Sequence, residues 1–273
     1  HSHVDWLAAA NLSFDLRLDG LSWLFSLLII GFAGLLVVYS KVYFNHAQRL
    51  PLFYAKMLLF MGAMLGVVMA DNLLLLAVSW ELTSICSALL IAFWGKTDAR
   101  QAARLAWWVT GTTGICLIAG FILLGQAAGT FQISELVKTT GALSEHPYFT
   151  PAMLLILIGA LAKSAQFPFH FWLPNGMTAP TPASAYLHSA TMVNAGLFVL
   201  LRLHPIYGAD GLWQSILMTL GAITLVFGAA TALFAATIGL LQNDIKKILA
   251  YSTVSQLGLM FLGLGVGAYS SAV

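Results

Sequence analysis

Four ionisable side chains lie within or near the start of predicted apolar helices: Glu81, Lys163, His188 and Lys246. A charge at the centre of a bilayer costs about 2.5–3.5 kcal/mol on insertion scales, so such groups usually serve ion or proton movement. Protons can pass among three kinds of group that are found here. They are a lysine with a lowered proton affinity, a carboxylate that balances its charge and a histidine, whose side chain titrates near neutral pH. We therefore treat these four residues as a candidate proton relay.

Smaller polar residues follow these four at helical spacings and could hold water between them. On the last predicted helix, Lys246 shares a stripe with Leu249, Thr253 and Gln256, whereas Lys247 shares a more apolar one. This favours Lys246 as an internal group and Lys247 as an anchor at the membrane surface. The candidate supporting residues are Ser84, Gln166, His170, Thr191, Asn194, Thr253 and Gln256.

Each candidate also has a purely structural interpretation. Glu81 and Lys163 could form one ion pair that holds two helices together. His188 could be a core histidine bonded to a backbone carbonyl, and Lys246 could simply extend to the membrane surface. No Cys/His spacing fits a metal site, and the glycines of Gly-Thr-Thr-Gly at 111–114 have no neighbouring strand. The sequence therefore predicts neither a metal ion nor a cofactor.

The composition indicates where these charges lie. The chain has 273 residues, of which 60% are apolar and 8% are charged. Soluble domains average about 45–50% apolar residues and about 25% charged residues. So little charge excludes a soluble enzyme, a nucleic-acid binder and a disordered tail, and it predicts an all-α, polytopic transmembrane helix bundle. Cys86 and Cys116 lie in apolar stretches, which favours packed thiols over a disulfide.

The hydropathy pattern predicts about eight membrane spans, because each needs about 20 mostly apolar residues. The fifth runs into Pro168, so we expect it to break there, with Lys163 within a turn or two of the break. We also expect Glu81 and Lys163 to approach each other between helices three and five, and residues 173–184, with three prolines, to form no regular helix. The predicted spans are 21–40, 53–70, 73–94, 105–128, 152–167, 184–203, 212–240 and 245–268.

The basic residues predict an orientation. Eight lysines and arginines fall on one side of the eight spans and three on the other, and the richer side is normally cytoplasmic. Residues 1–20 should then lie on the outer side, and we expect the membrane to be a bacterial plasma membrane. The eight are Lys41, Arg49, Lys56, Lys96, Arg100, Arg104, Lys246 and Lys247.

The sequence resembles the antiporter-like subunits shared by Mrp-type Na+/H+ antiporters and respiratory complex I. The likeness covers nearly the whole chain and is strongest to the A-type member of Mrp antiporters. It is carried by WELTSICSALLIAFW (80–94), VTGTTGICLIAG (109–120) and AKSAQFPFHFWLPNGMTAPTPASAYLHSATMVNAG (162–196). A fourth stretch, NDIKKILAYSTVSQLGLM (243–260), is closer to the large antiporter-like subunit of complex I.

The resemblance implies a helical bundle with two inverted repeats, each containing a broken helix. It pairs Glu81 with Lys163, makes His188 a relay residue and places Lys246 in the central chain of charges. Asn194 departs from the pattern, because the A-type members of Mrp antiporters usually have a lysine there. We expect residues 1–273 to form a single transmembrane proton-channel domain and to be a fragment of a longer chain, with one repeat and part of the second.

The function that the resemblance implies is that of a proton-translocating subunit in a Mrp-type monovalent cation/proton antiporter complex. Its partners would be other membrane subunits, protons and the lipid bilayer, with Na+ left open and no nucleic acid. One alternative is the proton-pumping subunit of NADH:quinone oxidoreductase, where redox chemistry elsewhere drives the pump. Another is a non-conducting membrane scaffold. No catalytic site is visible in the chain itself.

Overall fold

The computed structural model describes residues 2–7, 12–44, 49–189, 191–239 and 245–269. The described part is a bundle of helices, which confirms the predicted fold class. One feature was not predicted, a two-stranded antiparallel hairpin near the amino terminus. Strand β1 (Ser2–Leu7) pairs with β2 (Leu12–Leu16), and Val4 lies opposite Phe14.

The first four helices are long and end at recognisable signals. They are α1 (Gly20–Tyr43), α2 (Leu50–Met69), α3 (Leu73–Ile91) and α4 (Thr97–Ala128). Asp19 caps α1 by accepting the Ser22 amide at 2.9 Å, and Asn72 caps α3 by accepting two amides. Gly129 ends α4 in the left-handed conformation, with φ at 72°.

The remaining helices are shorter and more interrupted. Helices α5 (Ile133–Leu136) and α6 (Thr140–Leu143) lie in the hydrophilic connection that precedes α7 (Phe149–Lys163). A 3-10 turn (Phe169–Phe171) leads into the third group of helices. These are α8 (Trp172–Gly176), α9 (Thr181–Ser189), α10 (Met192–Tyr207), α11 (Gly211–Gly239) and α12 (Ile245–Gly265).

Six helical segments in the described residues are long and apolar enough to cross a membrane. Two shorter apolar helices, Phe149–Lys163 and Gly211–Val226, accompany them. Together these segments match the eight predicted spans. The six are Gly20–Tyr43, Leu50–Met69, Leu73–Trp94, Thr97–Ala128, Thr181–Tyr207 and Lys246–Gly265.

The core that positions the candidate site is formed by α3, α4 and α7. Helix α4 packs along both α3 and α7, and α10 closes the group from the far side of α7. Their shared interior contains Trp80, Phe121 and Ile156, all fully buried. Because these side chains exclude solvent, a polar group placed among them must find its hydrogen-bond partners within the protein.

Two predictions about the helices were wrong. Residues 173–184 contain helical turns, since α8 includes Pro174 and α9 begins at Thr181 with Pro182 in its first turn. Proline is tolerated there because the first amides of a helix have no partner within it. The predicted sixth span, 184–203, is also interrupted. Thr191 has non-helical φ and ψ of −125° and −90° between α9 and α10.

Candidate functional site

The predicted break in the fifth span is confirmed, and it follows Lys163 directly. Helix α7 ends at Lys163, and Ala165 then adopts a positive φ of 49°, which is rare for a residue with a side chain. The peptide bond before Pro168 is cis. The chain thus leaves the helix within one turn of the lysine, which places its side chain deep between the packed helices.

Lys163 is completely buried and is held by a single turn of α3. Its Nζ donates hydrogen bonds to the Trp80 carbonyl at 2.7 Å, to Thr83 Oγ1 at 2.5 Å and to Ser84 Oγ at 3.0 Å. It also lies 4.2 Å from the centre of the Trp80 ring. An ammonium group has three donors, and here all three have neutral oxygen acceptors.

Glu81 belongs to the same turn of α3 but makes no direct ion pair with Lys163. Among the described residues no such pair lies within 4.0 Å, although the two charges interact electrostatically. The reason is helical geometry, because residue 81 projects about 100° from residue 80 and faces α4. Its carboxylate lies beside Gly114, and Oε1 is buried without a hydrogen-bond partner. The implied direct pairing is therefore not the arrangement in this structure.

The break after Lys163 adjoins the second break, between α9 and α10. Ser164 Oγ donates to the Val193 carbonyl at 2.6 Å, and Thr191 Oγ1 donates to the Tyr186 carbonyl. A Cβ atom on Gly196 would overlap both the Ala160 carbonyl and Ser164 Oγ. The two interrupted helices therefore pack backbone to backbone at the level of the buried lysine.

His188 and Lys246 meet at a different place in the bundle. They share a cavity of about 240 Å³ with Thr181, Ser184 and Thr253. His188 is 8% exposed and its Nδ1 has no hydrogen-bond partner in the structure. Lys246 makes one long hydrogen bond, 3.4 Å to the Ala179 carbonyl. The structure thus brings together the second half of the predicted relay, separately from Lys163.

The supporting residues divide between these two places. Ser84 binds Lys163, Thr191 lies at the second break, and Thr253 lines the His188 cavity. Gln166 is buried just after Lys163 and donates to the Ser164 carbonyl at 3.2 Å. His170 lies in the 3-10 turn after the break, and Asn194 follows Val193 at the start of α10.

Gln256 belongs to neither group and is exposed on α12. Helix α12 buries Ala250, Val254 and Leu257. Leu249 is exposed but lines the His188 cavity together with Lys246 and Thr253. Lys246 lies at the edge of the buried face and is half-buried. Lys247 is exposed, as we expected for the anchoring member of the pair.

Sequence reasoning missed the buried charge of Arg202 on α10. Arg202 is 7% exposed, and its guanidinium donates to Asp19 and, at 3.1 Å, to Ser22 Oγ. Burial opposes ionisation of the Asp19 carboxyl. The Ser22 amide and the Arg202 guanidinium outweigh that effect and lower the pKa of Asp19 below its ordinary value. The available signal was an arginine inside the predicted span 184–203.

Comparison with known proteins shows which family the chain matches. The family described as NADH:quinone oxidoreductase/Mrp antiporter, TM matches residues 70–273. The chain is 46% identical over 274 residues to the A/B subunit of a probable K(+)/H(+) antiporter of Rhizobium meliloti (strain 1021). It is 47% identical over 268 residues to the A1 subunit of a Na(+)/H(+) antiporter of Staphylococcus aureus (strain bovine RF122 / ET3-1).

The fold is similar to a solved structure as well. A chain in the structure of the Mrp complex from Dietzia sp. DQ12-45-1b matches 97% of this chain with a TM-score of 0.89 and 37% identity. The match covers 28% of that chain. The two named relatives are also longer than this chain. The match to the Rhizobium protein covers 100% of this chain and 27% of that protein. The match to the Staphylococcus protein covers 98% of this chain and 33% of that protein.

Proposed function

Because the chain belongs to the NADH:quinone oxidoreductase/Mrp antiporter transmembrane family, we propose that it carries protons in a monovalent cation/proton antiporter of the Mrp type. It is an integral membrane protein, and its similar proteins are antiporter subunits. The proposed role is that of the proton-translocating part of an A-type subunit. The named relatives differ in cation, K+ in one and Na+ in the other, so the proposal covers both ions.

The observation that carries the proposal is the environment of Lys163. A fully buried lysine at a broken helix has neutral oxygens for all its donors, while Glu81 lies on the same turn of α3 with an unsatisfied oxygen. The lysine can therefore bind either the hydroxyl oxygens or the carboxylate. Movement between the two changes how strongly the ammonium form is stabilised, and hence whether the proton is held or released.

A released proton needs an acceptor, and His188 is proposed for that role. A neutral imidazole has one nitrogen that can accept a proton, and His188 Nδ1 has no hydrogen-bond partner. The cavity of about 240 Å³ that His188 shares with Lys246 is large enough for several water molecules. Ser164, Thr191 and Gln166 lie at the two adjoining breaks and are the polar groups from which a path toward His188 would be built.

The test uses the full complex in inverted membrane vesicles, with proton movement followed by a pH-sensitive dye after addition of Na+ or K+. We expect Lys163→Ala to abolish cation-dependent proton movement. Lys247→Ala is the matched control, because it also removes one lysine but from an exposed position. Assembly of the complex must be equal in both variants, as measured by the recovery of its subunits.

The competing functions give different results. If Lys163→Ala leaves transport intact, the chain is a scaffold and its buried charges serve only the packing of the helices. If proton movement requires NADH oxidation rather than a cation gradient, the chain serves a complex I-type pump. Loss of cation-driven proton movement in the Lys163 variant alone would support the antiporter.

The proposal includes the domain organisation, membrane orientation and partners of the chain. We propose that residues 1–273 form one transmembrane proton-channel domain, with residues 1–20 on the outer side of a bacterial plasma membrane. Its proposed partners are the other membrane subunits of the complex. The Mrp title of the similar structure and the bias of eight basic residues against three support this setting.

A further inference from the structure

An open groove runs between α3 and α4 on the surface of the bundle. It has a volume of about 660 Å³, in the range of sites that enclose a sizeable ligand. Its walls are apolar and include Ile85, Leu89 and Trp107, all of which are exposed. Ala88 lies between these larger side chains, and its small size leaves the space open.

One end of the groove is positively charged. Arg100 and Arg104, one turn apart on α4, both line it and are both exposed. Among the described residues neither arginine has an acidic partner within 4.0 Å. Both lie in the first turns of α4, where the charged connection after α3 gives way to an apolar helix. The groove therefore joins two guanidinium groups at a membrane boundary to an apolar channel within the membrane.

We propose that this groove binds an anionic phospholipid, with the phosphate between Arg100 and Arg104 and an acyl chain along Ile85 and Leu89. Guanidinium groups bind phosphate through paired, charge-assisted hydrogen bonds. Basic pockets between transmembrane helices are typical sites for acidic lipid headgroups. Trp107 fits the same position, because its ring is amphipathic and suited to the level of the headgroups.

The charge pattern favours a lipid over a protein partner. The positive charge is confined to one end of the groove, and the rest of the lining has no charged residue. A phospholipid has the matching arrangement, with a charged headgroup at one end and apolar acyl chains beyond it. The apolar end reaches Ile85, one helical turn beyond Glu81. A bound lipid would therefore brace the pair of helices that encloses the Glu81 carboxylate.

Binding can be measured on the purified full complex by native mass spectrometry, with phosphatidylglycerol as the probe and phosphatidylcholine as the neutral comparison. We expect Arg100→Gln/Arg104→Gln to weaken phosphatidylglycerol binding roughly 30-fold, about fivefold for each basic group. The control is Lys41→Gln/Arg49→Gln, which removes two exposed charges, one in the last turn of α1 and one at the residue before α2. A further variant, Ala88→Phe, fills the groove without changing its charge and should also reduce binding.

A photocrosslinker identifies the occupant directly. With p-benzoylphenylalanine at Leu89, we expect a product whose added mass is that of a phospholipid. Equal phosphatidylglycerol binding by the parent complex and by the double arginine variant would overturn the proposal. A crosslink from Leu89 to another protein of the complex would also overturn it, because the groove would then be a protein interface.

Discussion

The Glu81 carboxylate occupies the space that a side chain at Gly114 would fill. A Cβ atom at position 114 would overlap Glu81 Oε1 and would lie 3.0 Å from the carboxyl carbon. Glycine on α4 therefore allows the carboxylate to stay away from Lys163, which meanwhile binds Thr83 and Ser84. The separation of the two charges depends on a residue that carries no functional group.

Gly114→Ala should slow cation-driven proton movement roughly 10-fold. The added methyl group would push the carboxylate out of its position and toward Lys163, and a hydrogen bond to a charged group would hold the ammonium form more tightly. Gly111→Ala is the control, because the nearest atom to its new Cβ would be 3.8 Å away on the same helix. Equal rates for the two variants in vesicles would show that the Gly114 space is unimportant.

Thr83→Val should destabilise the protein by about 1.5–3 kcal/mol, because it removes one of the three acceptors of a buried ammonium. Valine has nearly the same shape, so packing changes little. Ser87→Ala, also buried on α3, is the control, since the Ser87 hydroxyl bonds only to the Ser84 carbonyl of its own helix. The measurement is the thermal unfolding temperature of the purified complex. A variant no less stable than the control would mean that Lys163 does not need this hydroxyl.

His188→Ala should slow transport on the order of 10-fold without abolishing it, since water in the cavity can replace part of a relay. Lys246→Gln should be more damaging than Lys247→Gln, because Lys246 lines that cavity and Lys247 is exposed. Proton uptake by vesicles that contain the full complex measures all three. If the Lys247 variant is inactive and the Lys246 variant is normal, the assignment of the two lysines is reversed.

Asp19→Asn should make the stability of the protein less dependent on pH. The folded-state pKa of Asp19 lies below its ordinary value, so the ionised carboxylate stabilises the fold above that ordinary value. This contribution is lost as the pH falls through the lowered pKa. Asparagine still caps α1 but leaves Arg202 buried without its charge partner, which should cost about 2 kcal/mol near neutral pH.

The pH series is best measured by thermal unfolding from neutral to acidic conditions. Asp98→Asn provides the control, because it removes an exposed carboxylate in the first turn of α4. Parallel curves for the Asp19 variant and the parent protein would contradict the assigned role of this ion pair.

The sequence was sufficient for the features that depend on local composition. A lysine in an apolar run five residues before Pro168 predicted both the broken helix and its buried charge. The eight spans followed from hydropathy in the same way. His188 and Lys246 were also selected from the sequence, and the structure places both in one cavity.

The details that depend on contacts between distant parts of the chain could not be predicted in this way. One acceptor of Lys163 is the Trp80 carbonyl, and every residue has a carbonyl, so no residue type signals it. Asp19 and Arg202 are separated by 183 residues, and each lies near a helix end where charges are common. The break at Thr191 has no proline or glycine beside it. These relationships arise only when the helices pack.

The length of α7 determines what fraction of the transmembrane voltage a proton crosses to reach Lys163. Fifteen helical residues rise about 22 Å, whereas the hydrocarbon core is about 30 Å thick. In an orientation that puts Phe149 at one boundary, the ammonium would lie about three quarters of the way across. A proton that reaches it from the Phe149 side then crosses about three quarters of a membrane voltage, worth about 1.7 kcal/mol at about 100 mV. From the opposite side the same step is worth only about 0.6 kcal/mol. Proton access to Lys163 from the Phe149 side would therefore depend more strongly on voltage than access from the opposite side. The length of α7 would set this difference.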